Sequence, residues 1–548
     1  MNEYYGFPAH FSVKMGKLNM EDILGGKSMT SENANKNTLP DDPKSYWLDS
    51  VDIAAYPPLE KDIETEVAVV GGGISGITTA FLLAKEGFQV TLLESTRLFN
   101  GTTGHTTAKV TAQHGLIYDE LIGNFGVDSV KLYYSANKDA ADFIENYINQ
   151  HGIDCDYQKE SAYVFSTEES DRQSLEKEAK AYEKIGVNGG FVDEIPLPIP
   201  VIGAVEMKNQ AQFHPLKYLA HMVKEMTRQG VQIFEGMTAI NMEHGDPAVV
   251  HMRNGIKVKA KFVVSASHFP FHDGKGYFAR LYPKRSYVVA VKPEQSFPNG
   301  MYISSNKPTR SFRSVKINGE DMLLVIGESH KTGQGVPEID HYEALEKDAA
   351  KLFGAKKVLY RWSAQDLVTP DKVPYIGRIS ENHSNVFIAT GFRKWGMAHG
   401  TLSGMLISDL ITGRDNPYEK LYAPSRFPLD PSFKTLVKEN MNVAAQLIGG
   451  KFERPDKEIK DIRQDEGAVI TIKGKRAGAY KDHNGELFVV DTTCTHMGCE
   501  VNWNSGDKTW DCPCHGSRFG YDGKVIEGPA DQPLKRIDPD RIDYSTST

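Results

Sequence analysis

The sequence predicts an α/β domain of Rossmann-like architecture that binds a dinucleotide, followed by a C-terminal domain built around a redox metal centre. Two observations carry this. One is an apolar strand running into a glycine turn, Glu66-Val-Ala-Val-Val-Gly71-Gly-Gly73-Ile-Ser-Gly76. The other is a pair of short runs, Cys494-Thr-His496-Met-Gly-Cys499 and Cys512-Pro-Cys514-His515-Gly-Ser517, which together hold four of the five cysteines.

At 548 residues the chain has room for two to four domains. Its 25% charged and 40% hydrophobic residues are ordinary for a soluble globular protein. The net charge of −9 argues against a general affinity for nucleic acid. No N-terminal stretch combines a basic start, an apolar run and a small-residue cleavage site. Val67 to Ala84 is uncharged over a membrane-like length, but its glycines make it a strand, a turn and a helix, so no transmembrane segment is expected. A cytoplasmic location is the resulting expectation. Residues 1–45 are polar and irregular and read as a tail, within which Met29 is an alternative start. Apolar periodicity begins near Trp47, and Phe433 to Leu447 reads as one helix. The expected domains are the tail at 1–45, the dinucleotide-binding domain at 46–430, a helical linker at 431–455 and the domain of the metal centre at 456–548.

In the first motif the glycines provide a tight turn, close backbone approach to a pyrophosphate, and close helix–strand packing. Ile77 to Gly87 continues as an apolar helix whose N-terminus favours the anion. Gln89-Val-Thr-Leu-Leu-Glu94 is a second strand, and Glu94 stands where a carboxylate accepts hydrogen bonds from ribose hydroxyls. Strand, glycines, helix, strand and acid in register make a dinucleotide site, against the alternative of a plain glycine turn.

A second small-residue loop, Phe99-Asn-Gly101-Thr102-Thr103-Gly104-His105-Thr-Thr-Ala108-Lys109, follows the ribose acid. With it come Phe213-His-Pro215-Leu-Lys-Tyr-Leu219, Gly230-Val-Gln-Ile-Phe-Glu235 and Phe262-Val-Val-Ser-Ala266. Near the end stand Phe387-Ile-Ala-Thr-Gly391 through Gly396-Met397 to Gly404, and Pro424-Ser-Arg426-Phe427. On these motifs the chain resembles FAD enzymes of the D-amino-acid oxidase (glycine/sarcosine oxidase) superfamily between about residues 47 and 430. The resemblance implies an FAD-binding domain with an inserted α+β substrate domain. It implies FAD contacts from Gly71, Gly73, Gly76, Glu94, Thr102, Thr103, His105, Ala239, Gly391, Gly396 and Met397. It also implies oxidation of a CH–NH or CH–NH2 group in a small-molecule amine or amino acid. In the sarcosine-oxidase-like branch a lysine two residues after the glycine matching Gly396 holds the substrate carboxylate; Ala398 stands there, which leaves simpler amines open. Arg285 and Tyr287 are weak catalytic candidates, in a segment that often reaches the substrate pocket of this family; a strand with surface cations is the plainer alternative. His105 fits the spacing of relatives that attach FAD covalently, and equally that of a polar contact. No second G-x-G-x-x-G follows a strand, so no separate NAD(P)H site is indicated.

The C-terminal runs offer C-x-H and C-x-x-H separated by residues 497 to 511. Two thiolates on one iron and two imidazoles on the other are the ligand set of a Rieske [2Fe–2S] centre: Cys494, His496, Cys512 and His515. Zinc is the rival for a Cys2His2 set, but C-x-H is not its usual spacing. Gly498, Gly516-Ser517 and Gly528-Pro529-Ala530 resemble the loops of Rieske proteins, an all-β domain, and the motif resembles the cytochrome bc-type subclass. That resemblance implies a disulfide between Cys499 and Cys514, in tension with a reducing cytosol. It also implies that Ser517 donates to a bridging sulfur, and that Phe519 replaces a tyrosine donor of the high-potential members. Cys155 is left as a buried free thiol.

The sequence thus points to a flavin-dependent dehydrogenase whose electrons leave singly through the cluster to an unidentified acceptor, with the direction of flow open. A flavin oxidase using O2 directly, with the Rieske domain as redox sensor or docking module, is the alternative. A Rieske oxygenase needs a further iron site, for which His268, His272 and Asp273 have the residue types.

Overall fold

The computed structural model describes residues 39–272, 276–426, 432–450, 457–472 and 474–538. Met29, Asp273, Phe427 and the expected boundaries at 430/431 and 455/456 lie outside the described residues. The elements that position the site are, in chain order, β1 (Ile63–Val70), α1 (Ile74–Lys85), β2 (Val90–Leu93), β3 (Lys257–Ser265), β4 (Tyr282–Val291), β5 (Val358–Val368), β6 (His383–Thr390), α2 (Gly396–Thr412) and α3 (Ser432–Gly449).

β1 is the centre of an eight-stranded sheet in which β6, β3, β1, β2 and Gln232–Phe234 run parallel in that spatial order. Such strands are buried on both faces, hence the continuous apolar run Val67 to Val70. α1 and α2 cross closely on one face, with Ser75 and Ser403 hydroxyls 2.6 Å apart. A nine-stranded mixed sheet, with β5 at one edge and β4 beside it, makes up the inserted unit. After α3 come a three-stranded and a four-stranded antiparallel sheet: Glu466–Ile472, Lys475–Lys481 and Leu487–Asp491, then Asn502–Asn504, Thr509–Asp511, Arg518–Gly520 and Val525–Glu527. The fold is the expected one: an α/β FAD-binding Rossmann-like domain with an inserted α+β unit, plus a C-terminal all-β domain.

One segment differs from the sequence expectation. The sequence assigns residues 39–45 to the tail, yet Arg361 Nε donates to Pro40 O at 2.7 Å and its Nη2 to Asp41 O at 2.8 Å. Lys44 bridges to Arg361, and Ser45 Oγ donates to Gly104 O at 2.5 Å. An irregular polar segment whose backbone is satisfied by one distant arginine carries no periodic signal. Among the described residues no helix is long and apolar enough to cross a membrane.

Candidate functional site

The glycine turn after β1 works by close approach. Gly71 has φ +116°, and a Cβ there would lie 2.4 Å from Ala266 O at the end of β3. A Cβ on Gly76 would lie 2.0 Å from Gly71 O, so α1 packs against the turn only with glycine present. Glu94 Oε2 accepts from the Gly72 N–H at 2.7 Å and Oε1 from the Thr96 N–H at 2.8 Å, which aims the carboxylate beside the turn. Thr103 Oγ1 accepts from the Ile74 N–H at 3.1 Å, tying the second loop to the start of α1.

These groups line one cavity of about 590 Å3. Gly71, Gly73, Glu94, Thr102, Thr103, His105, Ala239, Gly396 and Met397 all face it. Gly76 and Gly391 do not; Gly76 is a spacer between helix and turn, and Gly391 packs on Thr369. A cavity walled by bare glycine backbone, a helix N-terminus and an oriented carboxylate fits a dinucleotide. His105 also lines it; its Nδ1 is 2.9 Å from Gly101 O, and burial lowers its pKa.

Lys394, Lys109 and His268 line the same cavity, and of these only His268 stands out in the sequence as a candidate ligand. Lys394 Nζ donates to Ser286 Oγ and, at 2.6 Å, to Ser329 Oγ. Its N–H meets Asp366 Oδ1 at 3.1 Å, and burial draws its pKa down to about 8. Lys109 Nζ donates to Ser311 Oγ; burial, aided by nearby Arg313, lowers it to about 7. His268 lines the cavity with a φ of +63° and a buried Nε2 without a hydrogen-bond partner. Left-handed backbone at a non-glycine residue collects at functional sites. Arg393 and Lys394 share that conformation, at φ +49° and +71°. Such a loop has no helical or strand period, so nothing in the sequence marks Lys394. Ala398 is buried in α2, away from the cavity.

Arg285 and Tyr287 do not reach the cavity. Strand side chains alternate, and in β4 it is Ser286 and Val288 that face it. Tyr287 stacks on His330 and His341. Arg285 points into the C-terminal domain, where its guanidinium meets Asp507 and Asp511 at 3.6 Å and Glu527 at 3.4 Å. His268 and His272 part company too: His272 Nε2 lies 3.0 Å from His244 Nε2, outside the cavity lining.

The two Cys/His loops are built alike. The Cys494 N–H donates to Cys499 O at 2.7 Å and the Gly498 N–H to Cys494 O at 2.9 Å. In the second loop the Cys512 N–H donates to Ser517 O at 2.8 Å and the Gly516 N–H to Cys512 O at 3.1 Å. Cys499 and Cys514 are disulfide-bonded, bracing the loops together. Their sulfurs gather within 4.8 Å of Cys512 Sγ, but a disulfide has no thiolate to give, so the free thiols are Cys494 and Cys512. Cys494 is pulled down to about 7 by hydrogen bonding from Cys512, then from the His496 N–H, Ser517 and the Met497 N–H. The rings of His496 and His515 stand 5.1 Å apart and nearly perpendicular, and His515 Nδ1 is buried without a partner. Two thiols and two imidazoles converging, one with an orphaned nitrogen, fit a [2Fe–2S] cluster. Ser517 Oγ accepts from the Ala530 N–H at 3.0 Å, and Phe519 is fully buried opposite Trp510. Restoring a hydroxyl by Phe519→Tyr adds a donor that stabilises the more negative reduced cluster. Protein-film voltammetry is expected to show a raised potential, and an unchanged value would sink this account.

The two halves meet over the cavity. His496 and the run Val525 to Asp531 form part of its wall. Phe269, beside His268, packs on His496 at 6.3 Å, and Phe278 on His515 at 5.7 Å. Gln365 Nε2 donates to Gly516 O at 2.9 Å and Asn502 Nδ2 to Gly333 O at 3.0 Å.

Comparison with known proteins matches these two halves separately. Residues 66–410 match the FAD dependent oxidoreductase family, and residues 454–538 the Rieske [2Fe-2S] domain. The chain is 46% identical over 508 residues to YhfW of Bacillus subtilis (strain 168), named as a Rieske 2Fe-2S iron-sulfur protein, covering 92% of this chain and 100% of that one. It is 23% identical over 410 residues to gamma-glutamylputrescine oxidoreductase of Escherichia coli (strain K12), covering 72% and 94%. Glycine oxidase from Geobacillus kaustophilus shares the fold, with a TM-score of 0.57 and 19% identity over 67% of this chain and 100% of that one. The chain therefore belongs to the FAD dependent oxidoreductase family and carries a C-terminal Rieske domain, and its cofactors are FAD and a [2Fe–2S] cluster.

Proposed function

We propose that this protein oxidises the C–N bond of a small amine or amino acid and passes the electrons singly to the cluster and on to a separate acceptor. The observation that carries this reading is that His496 lines the same cavity as the glycine turn and Lys394. Gly71, Gly73, Glu94, Thr102, Thr103, Ala239, Gly396 and Met397 are the residues assigned to FAD, and Cys494, His496, Cys512 and His515 those assigned to iron. FAD supplies two-electron hydride acceptance and the cluster one-electron exchange. Gamma-glutamylputrescine oxidoreductase and glycine oxidase support an amine or amino acid substrate by name.

The chain's own groups prepare the substrate. An ammonium has no lone pair to release, so the substrate must lose a proton first. Lys109, at about 7, is the group in the cavity wall that takes it. Below that value Lys109 is itself charged and cannot accept, so the rate of flavin bleaching rises as pH passes upward through about 7. Lys109→Met is expected to keep FAD yet lose this rise, with a ~10²–10⁴-fold slower rate. Lys394, held by two hydroxyls, offers a cation for a substrate carboxylate where Ala398 offers none. Lys394→Met should raise KM for an amino acid and leave that for a simple amine unchanged; equal effects on both would dismiss carboxylate binding.

Anaerobic addition of substrates tests the whole reading. Flavin bleaching followed by the Rieske signal at g below 2 is the expected result. Bleaching without that signal would leave the Rieske domain as a sensor or docking module.

A further inference from the structure

Large apolar side chains that remain exposed are concentrated on one helix. Among the described residues there are eight, and four lie on α3: Phe433 (49%), Val437 (43%), Met441 (68%) and Ile448 (61%). With exposed Ala444 they fall in one stripe about 80° wide at helical spacing. A fifth, Val336 (53%), follows Gln334, whose side chain donates to Asn442 of α3 at 3.0 Å. Single exposed apolar residues are ordinary; a continuous stripe is not.

The opposite face of α3 is committed. Val443 and Leu447 pack with Cys494, Cys499 and Cys514, and Val443 O lies 3.9 Å from Cys514 Sγ. Asn440 Nδ2 donates to Ala279 O at 2.8 Å, and Glu439 pairs with Lys331. α3 is thus anchored to both domains with its apolar stripe outward. Glu439, the one acid of the helix, is turned inward, while Lys434 and Lys438 lie on the exposed face.

We propose that the outward face of α3 lies on the surface of an anionic lipid bilayer, with the cluster about one helix diameter, ~10–12 Å, from the lipid. Phe, Val, Met and Ile along one side with lysines beside them are the pattern of an interfacial helix. An 18-residue helix is about 27 Å long, so the stripe covers roughly 270 Å2, well short of the ~800 Å2 each partner buries in a stable protein interface. Lipid makes no such demand. The assignment concerns where the protein sits and is independent of its substrate.

Co-sedimentation of the full-length holoprotein with vesicles tests this. The protein should pellet several-fold more with phosphatidylcholine–phosphatidylglycerol vesicles than with phosphatidylcholine alone, and less as salt rises. Val437→Glu/Met441→Glu should stay in the supernatant with flavin and cluster absorption unchanged. Lys438→Glu, which keeps the stripe, should weaken pelleting several-fold. The assignment is overturned if wild type ignores anionic vesicles or if the double variant still pellets. It is equally overturned if light scattering without lipid shows a dimer that the double variant dissolves, since a second copy would then cover the face.

Discussion

Arg285→Met is expected to uncouple the two redox halves while leaving each folded. In the wild type, burial raises the Asp507 pKa, but Arg518 and Arg285 hold it below the ordinary carboxylate range, with Ser363 and Tyr342 also donating. Arg285 is the only one of the two arginines that comes from the FAD domain. Without it, Asp507, Asp511 and Glu527 share Arg518 alone. Breaking a buried ion pair from one side costs about 3–5 kcal/mol. The contacts left across the interface include the hydrogen bonds from Ser363 and Tyr342 to Asp507 and the neutral ones from Gln365 and Asn502, the latter worth about 1 kcal/mol each. Substrate should still bleach the flavin, because Ser286 and Lys394 are untouched. Cluster reduction should slow at least tenfold in anaerobic stopped flow, and domain opening should show as faster hydrogen exchange around Ser363 and Asp507. Arg285→Lys should rescue little, since a point charge cannot face three carboxylates as a planar fork does. Unaltered cluster reduction in the methionine variant would mean that the clamp does not hold the halves together.

Removing the brace between the ligand loops should have the next largest effect. The Cys499–Cys514 bond closes 15 residues, which on chain-entropy grounds restrains the unfolded loops by about 3 kcal/mol. The double variant Cys499→Ser/Cys514→Ser should still load iron, since Cys494, His496, Cys512 and His515 remain. Its cluster should bleach at a temperature several degrees lower, while the flavin transition stays put. Mild reduction of the wild type should leave the cluster intact, because all four sulfurs are buried and inaccessible to reductant. Equal cluster lifetimes in variant and wild type would dismiss the brace.

What the sequence displayed was chemistry local to short segments. Gly71 and Glu94 belong to one βαβ unit with Thr103 in the turn that follows it, and each ligand loop spans six residues. Their partners are close in the chain, so residue type and spacing are enough to propose them. What it hid depends on distant pairing. Arg285 and Glu527 are 242 residues apart. Choosing Arg285 and Tyr287 over Ser286 was a matter of which face of β4 meets the cavity, and a strand buried on both faces carries no alternation to show it. Lys394 rests on two left-handed residues that no propensity predicts. Residues 39–45 gain their order from Arg361, a side chain 321 positions from Pro40.

The run from Val525 to Asp531 walls the cavity proposed for the flavin although it belongs to the cluster domain's own sheet and loop. Exchanging this Rieske domain for a homologous one would therefore alter which molecules the pocket admits as well as the electron affinity of the centre. Selectivity and redox poise are thereby carried by one and the same domain.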